Sequence, residues 1–399
     1  MSSSTAPVAD WVTLDALNTD PLGVYRRLQE ETPVAYVPAA ERYFATRYED
    51  CRFIESDPTI FTSTVPDPRD LMPRAIGHTM LRKDDPEHAA DRAAINPALR
   101  PRIVADVWKP MFERNTRTRL DRLIEAGPGA DLDAEFSAPL AADNLIAMLG
   151  LVGVDSTQMQ RWSRTFIRAV ANIVDDPDIW AECEKSNDEV DAAIEIAIPR
   201  LRAAPDDSML SAMINGPRPV PLESVRASVK LTISGGINEP EHVLTSGVWA
   251  FARHPEQRAR LIADPSRFPA AFDEVVRWLS PIGALTKLAV ADVELGGFTI
   301  PAGSRVAAVV AAANRDAAQF EDPDDFSVFR EKKPHLAFGS GVHLCAGSWA
   351  AKSAVGQVAW PMLYQRLAGL RPVDADAVQF RGWLFRGPTS LPVTWDEVA

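Results

Sequence analysis

Cysteine is scarce. The 399-residue chain holds three, Cys51, Cys183 and Cys345, an odd and widely spaced set that makes no disulfide framework and suits a reducing compartment. Positive charge is in the minority: 42 Lys and Arg stand against 55 Asp and Glu, a net charge of -13. That deficit argues against nucleic acid as the main partner, because phosphate binding needs concentrated basic charge. No apolar run reaches the roughly 18 residues that span a bilayer. Residues 1–11 carry neither the basic nor the apolar stretch of a secretory signal, so no membrane association and a cytoplasmic location are expected. Internal repeats and strand–helix alternation are missing as well. Gly339-Ser340-Gly341 lacks a third glycine, so a dinucleotide site is not expected.

Apolar residues are plentiful at 46%, material for a sizeable core. Residues 1–10 are expected to be a loose tail and 11–399 a single domain. A short helix is predicted over 21–31, capped by Asp20, then a hairpin from 34–37 and 43–46. Residues 57–86 carry Pro58, Pro66, Pro68, Pro73 and Pro86 with little periodicity, and a loop so long is often functional. From 87 onward, apolar residues recur at three-to-four spacing. They predict helices over 87–96, 103–125, 138–151, 157–173 and 188–203. Residues 223–253 would make one long helix but for Gly235-Gly236 and Pro240, and 269–279 is strongly amphipathic. Strands follow over 288–293, 298–300 and 305–310. An irregular stretch over 314–345, a last helix over 346–367 and a tail hairpin over 378–395 complete the chain. The fold class is mainly α with a small β part.

The most informative stretch runs from Phe338 to Gly347: Phe-Gly-Ser-Gly-Val-His-Leu-Cys-Ala-Gly. Two glycines permit a tight turn. Cys345 sits at the entrance of the last helix, whose backbone N–H groups and positive end lower a thiol pKa. A thiolate so held is a good axial ligand for haem iron, and the small Ala346 and Gly347 let a flat macrocycle approach. The plainer alternative is a buried free cysteine beside a glycine-rich turn. About seventy residues upstream, Glu274-Val275-Val276-Arg277 places an acid and a base at i and i+3 on one helix face.

Together these motifs resemble the cytochrome P-450 superfamily, the haem-thiolate monooxygenases. The resemblance covers nearly the whole chain. It implies the P-450 fold, a triangular helical body with a long central helix over the haem and minor sheets. It implies haem b (iron protoporphyrin IX), with Cys345 as axial ligand and Phe338, Gly339 and Gly347 shaping the loop around it. Gly235 and Gly236 on the central helix would face the haem. His88 and Arg92, at i and i+4 after Pro86, and His343 become propionate partners. Lys287 stands where the family often has Arg, offering a point charge rather than a fork. Glu274, Arg277 and Arg330 become a buried network that locks the fold.

The family's central helix sets an acid and an alcohol beside its glycines to pass protons to dioxygen. Here the run is Gly235-Gly236-Ile237-Asn238-Glu239-Pro240, with Asn238 at the acid position and Glu239 at the alcohol position. Pro240 removes a backbone donor inside the helix. A carboxyl in a dry pocket can hold a proton near neutrality, so Glu239 is the candidate donor with Asn238 beside it. Otherwise Glu239 only caps the second half of the helix. This variant and the tail Gly382–Trp395 resemble the bacterial guaiacol-type aromatic O-demethylases. That implies a small methoxylated aromatic substrate against Phe166, Leu231, Ser234, Gly235, Ala284, Leu285 and Phe385. Electrons would come from a separate ferredoxin or NAD(P)H-dependent reductase. Lys332, Lys333, Arg100 and Arg102 offer such an acidic partner a docking charge. A monomer is expected. The rivals are hydroxylation of another small hydrophobic substrate, a peroxide-driven peroxygenase, and a non-catalytic haem sensor or carrier.

Overall fold

The computed structural model of the chain describes residues 4–66, 70–172 and 174–399. Residues 1–3 of the expected tail, Pro68 of the proline-rich loop and Ile173 at a predicted helix end lie outside the described residues. Helices start where a side chain takes up their free N–H groups. Asp20 accepts from Gly23 N to open Pro21–Glu31, and Asp155 accepts from Gln158 N to open Ser156–Val170. Asp176 caps Pro177–Ala203, whose first residue is the proline. That helix therefore starts eleven residues before the predicted 188, at a cap-and-proline signal that the apolar spacing alone does not reveal. Glu87–Leu99 runs past the predicted stop at 96, with Pro97 inside its last turn.

The β part is assembled from both ends of the chain. The hairpin strands β2 (Val34–Val37) and β3 (Arg42–Ala45) pair antiparallel. A five-stranded sheet continues from them in the order β2, β3, β8 (Arg305–Ala308), β5 (Leu285–Ala289) and β4 (Phe61–Thr62). The predicted strand 288–293 is thus two strands, β5 and β6 (Val293–Leu295), with a turn between. The expected loose tail is corrected for residues 4–10. There β1 (Ser4–Thr5) pairs parallel with β7 (Phe298–Ile300), and Ala6 and Ala9 are buried. The tail hairpin is present in short form, Phe380–Arg381 against Gly387–Pro388.

The central helix is broken, and the break separates two cores. Leu222–Gly235 sends Val225, Val229 and Ile233 into one cluster with Leu145, Trp162 and Phe166. Asn238–Arg253 sends Val243, Val248 and Phe251 into another with Phe272 and Trp360. The interruption falls at Gly236 and Ile237, before Pro240 rather than at it. Pro240 is the third residue of the second segment, where a missing N–H belongs to groups that lack a helical partner anyway. The last helix begins at Ser348 instead of 346 and reaches Arg366, with wider turns over Lys352–Ala359. It packs closely on the central helix because Gly247 has no side chain there. A Cβ at Gly247 would overlap the Trp360 ring, whose Nε1 donates to Leu244 O at 3.0 Å. Gly247→Ala is expected to lower stability by about 1–3 kcal/mol, the usual penalty for overpacking, read as a fall in the denaturant midpoint. Among the described residues, no helix is long and apolar enough to cross a membrane.

Candidate active site

Cys345 is held by its own loop. Gly339 and Gly341 turn the backbone with φ of +67° and +63°, which only glycine takes readily, and Cys345 N donates to Phe338 O at 2.9 Å. The side chain is exposed, yet burial is what chiefly pushes its thiol pKa up. Its accessible surface therefore faces an enclosed space rather than open water. The expected lowering of this pKa is corrected. The N–H groups of Gly347 and Ser348 and the Arg92 charge do favour the thiolate, but they do not outweigh desolvation. A sulfur with two N–H groups aimed at it and the Arg92 charge nearby is suited to a thiolate once a metal ion balances the charge.

The break in the central helix lies on the same space. Glu239 and Cys345 are close enough that the Glu239 charge raises the thiol. Burial pushes Glu239 itself from 4.5 up to about 8. Its Oε2 is buried without a partner, and so is Asn238 Nδ2. Gly235, in the middle of the fold, is exposed, as expected beside a cavity. Leu231, Ala284, Leu285 and Phe385 are buried or half-buried, and Phe385 bridges Ile282, just before Ala284 and the strand that starts at Leu285. Ser234 is buried on the turn next to Gly235. Phe166 differs: it is 0% exposed within the helical core and presents no surface to an open space.

A second group of side chains gathers on the other side of the Cys345 loop. The His88 and His343 rings meet at a tilt of 41°, with centroids 4.1 Å apart. His343 Nε2 is 2.8 Å from Ser63 Oγ, which accepts from Lys287 Nζ at 2.6 Å. Burial first, then the Lys287 charge, pushes His343 down to about 3, so the ring is neutral. His88 Nδ1 meets Asp85 at 3.1 Å, while its buried Nε2 has no partner. Arg92 Nη1 donates to Leu344 O at 2.9 Å. The four residues expected as carboxylate partners, from positions 88, 92, 287 and 343, thus come together. Ser63, Asp85 and the buried Glu55 join them without any signal in the sequence, being ordinary loop and helix polar residues there. An orphaned histidine nitrogen and a lysine, next to a sulfur in an enclosed space, fit an iron porphyrin with its propionates on this side.

Glu274 and Arg277 lie behind the loop. Arg277 forks onto the carboxylate at 2.7 and 2.8 Å, and Ser327 N donates to Glu274 Oε1 at 2.8 Å. Arg330 Nε stands 3.5 Å from the same oxygen. Among the described residues no three His, Cys, Asp or Glu side chains group into a metal site.

Comparison with known proteins agrees with this geometry. A family model described as Cytochrome P450 matches residues 268–363, the span that holds Glu274, Arg277 and Cys345. The chain is 33% identical over 388 residues to a mycinamicin IV hydroxylase/epoxidase of Micromonospora griseorubida, covering 94% of this chain and 95% of that one. It is 32% identical over 386 residues to a nocardicin C N-oxygenase of Nocardia uniformis, covering 93% and 94%. The crystal structure of P450BioI, in complex with a fatty-acid-ligated acyl carrier protein, superposes with a TM-score of 0.87 at 24% identity. It covers 96% of this chain and 100% of that one, and at that identity speaks for the fold alone.

Proposed function

The chain belongs to the cytochrome P450 family and is a monooxygenase, and from that premise we propose that it O-demethylates a small methoxylated aromatic. Membership implies haem-thiolate iron, and with it dioxygen and redox partners. The observation that carries the finer reading is the Asn238-Glu239-Pro240 turn, whose buried, unpartnered polar atoms stand beside the space that Cys345 faces. In the reaction one oxygen atom enters the methyl C–H bond of the aryl ether and the other leaves as water, with two electrons and two protons consumed. The hemiacetal then breaks its C–O bond to give a phenol and formaldehyde.

Cys345, His88, Arg92, His343 and Lys287 would hold haem b, which when bound supplies the dioxygen-activating chemistry. The remaining tasks fall to the chain. Cys345 keeps its sulfur in line through the N–H groups of Gly347 and Ser348. Leu231, Ser234, Gly235, Ala284, Leu285 and Phe385 surround the substrate, with the fully buried Phe166 behind them. Glu239 holds a proton at Oε2 near neutrality and gives it where charge develops on the reacting oxygen, while Asn238 Nδ2 offers a hydrogen bond that cannot ionise. Lys332, Lys333, Arg100 and Arg102 would meet an acidic ferredoxin or reductase domain.

The test is a panel of methoxyarenes screened for a haem spin-state shift, with formaldehyde assayed in the responders. No formaldehyde from any responder would remove the O-demethylase reading and leave hydroxylation of another small substrate. The acid–proline pair Glu239-Pro240 also favours peroxide-driven turnover, and product from hydrogen peroxide but none with a reductase would select that reading. A pH dependence follows as well. The proton-bearing form of Glu239 is present below its pKa and lost as pH rises through about 8. Coupling of reductant to product is expected to hold below that pH and fall above it. Glu239→Gln should abolish this step and lower coupling roughly 10²-fold at neutral pH.

A further inference from the structure

Glu55 has no task in the reaction, yet it is buried against the Cys345 loop. It is 3% exposed near the end of the helix Tyr48–Ser56, and its Oε1 is buried without a partner. An orphaned carboxyl oxygen inside a protein is costly. The helix end is pressed onto the glycine turn. A Cβ at Gly341 would stand 2.6 Å from the backbone oxygen of Glu55, and Ser56 Oγ lies 3.2 Å from Ser340 Oγ. A Cβ at Gly339 would stand 3.4 Å from both Glu55 Oε2 and Leu285 Cδ1. Leu285 and Lys287 share one face of β5, because side chains alternate along a strand. The Glu55 carboxyl therefore borders the same space as Lys287, whose bond to Ser63 leads on to His343 and His88. We propose that Glu55 is a haem-binding residue of a different kind from the cations around it, a neutral carboxyl whose Oε1–H would donate to a propionate.

A charge count supports this. Other ionised groups of the region are already satisfied. Arg82 pairs with Asp70 at 2.6 Å and Lys83 with Asp91 at 2.7 Å, while Asp84 accepts from Ser63 N and the Thr62 hydroxyl. Among the described residues, Lys287 and Arg92 reach only a hydroxyl and a carbonyl, Ser63 Oγ and Leu344 O. These two cations balance two propionates, and an ionised Glu55 would add a third anion. Like charges that share a dry site do not all ionise, so one acid keeps its proton. Glu55 is placed to be that acid, since burial pushes its carboxyl up against the pull of Lys287 and Arg82. The elements packed on this helix bring little else. Val310–Ala313 is valine and alanine, Arg305 at the start of β8 lies near Arg42, and the turn Gly341–His343 offers only the neutral His343. On the helix itself Cys51 donates to Ala45 O, Asp50 turns to Gly296, and Arg52 pairs with Glu49 in solvent. Propionates thus raise the Glu55 pKa above its value without them. Haem affinity is then full at acid pH and is lost as pH rises through the raised pKa.

The experiment follows how fast the haem-loaded protein gives up its haem to an excess of haem-free globin, from mildly acid to mildly alkaline pH. No substrate is present, so the result does not depend on the O-demethylase reading. Wild-type release should be slow and level at acid pH and quicken as pH rises, by up to about tenfold per pH unit for one proton. Glu55→Gln keeps a donor and cannot ionise, so its release should be slow and level throughout. Glu55→Leu loses the donor and should release haem roughly 10–100-fold faster at acid pH, the worth of a hydrogen bond to a charged group. Glu55→Gln should also delete one protonated-carboxyl band from the infrared spectrum of the haem-loaded protein. A wild-type slope that survives in Glu55→Gln puts the proton elsewhere and overturns the proposal. Release from Glu55→Leu no faster than from Glu55→Gln overturns it too, because no donor is then used. Fast release from Glu55→Gln at acid pH shows instead an ionised Glu55 holding Lys287. A level wild type whose infrared spectrum matches that of Glu55→Gln is equally fatal. If Glu55→Leu yields no haem-loaded protein, the comparison of Glu55→Gln with wild type decides alone.

Discussion

Cys345→Ala is expected to abolish the thiolate-type spectrum of the carbon monoxide complex together with all product formation, while Cys51→Ala and Cys183→Ala keep both. The three cysteines differ in what surrounds them. Only Cys345 is exposed, and two backbone N–H groups, from Gly347 and Ser348, point at its sulfur, where Cys51 has one, from Val309. Cys51 is buried and its thiol donates to Ala45 O at 3.1 Å, and Cys183 donates to Ala75 O at 3.2 Å. Burial pushes Cys51 well up and Cys183 up to about 11. A metal ligand must be a thiolate, and neither of these can become one cheaply. A thiolate-type spectrum in purified Cys345→Ala would overturn the assignment.

Arg277→Ala is expected to yield insoluble or haem-free protein. The side chain is 2% exposed and its partner Glu274 6%, so alanine would strand a buried carboxylate. Removing one member of such a pair costs about 3–5 kcal/mol, a large part of a domain's whole stability. The loss reaches further than the pair. Arg277 also donates to the carbonyls of Asn314, Pro323 and Asp325 at 2.8, 2.9 and 3.2 Å. Arg330 ties Asp322 and Asp325 at 2.9 and 2.8 Å. An irregular stretch leading to the Cys345 loop is therefore organised by two guanidinium groups. Arg277→Lys, which keeps the charge but not the fork, should rescue only part of the loss. Soluble Arg277→Ala with full haem content and an unchanged melting temperature would contradict this.

What was legible in the sequence was local chemistry. The glycine turn with its cysteine, the Glu274–Arg277 spacing and the Asn238-Glu239-Pro240 variant all lie within ten residues. Helices with continuous apolar faces were visible too. Contacts between distant segments were not. Ser63 looks like any loop serine, and nothing near it announces Lys287 and His343. Asp133 meets Thr245 across 112 residues. Glu241 and Thr245, polar at i and i+4 among Val243, Leu244 and Val248, were a signal that a polar strip enters an apolar core. The direction of the Cys345 shift is hidden from the sequence for a related reason. A helix start is visible in sequence, but the degree of burial that outweighs it is not.

The bond from Lys287 to Ser63 joins residues 224 apart, and this sets an order of events during synthesis. At the usual rate of about 5–20 residues per second, roughly 10–45 s separate the making of the two partners. His88 waits longer still for His343. The cationic nest for the prosthetic group is therefore incomplete until most of the polypeptide has left the ribosome, and cofactor capture falls at the close of translation. Nascent chains stalled before residue 343 should retain no haem, whereas chains released at full length should take it up without unfolding first.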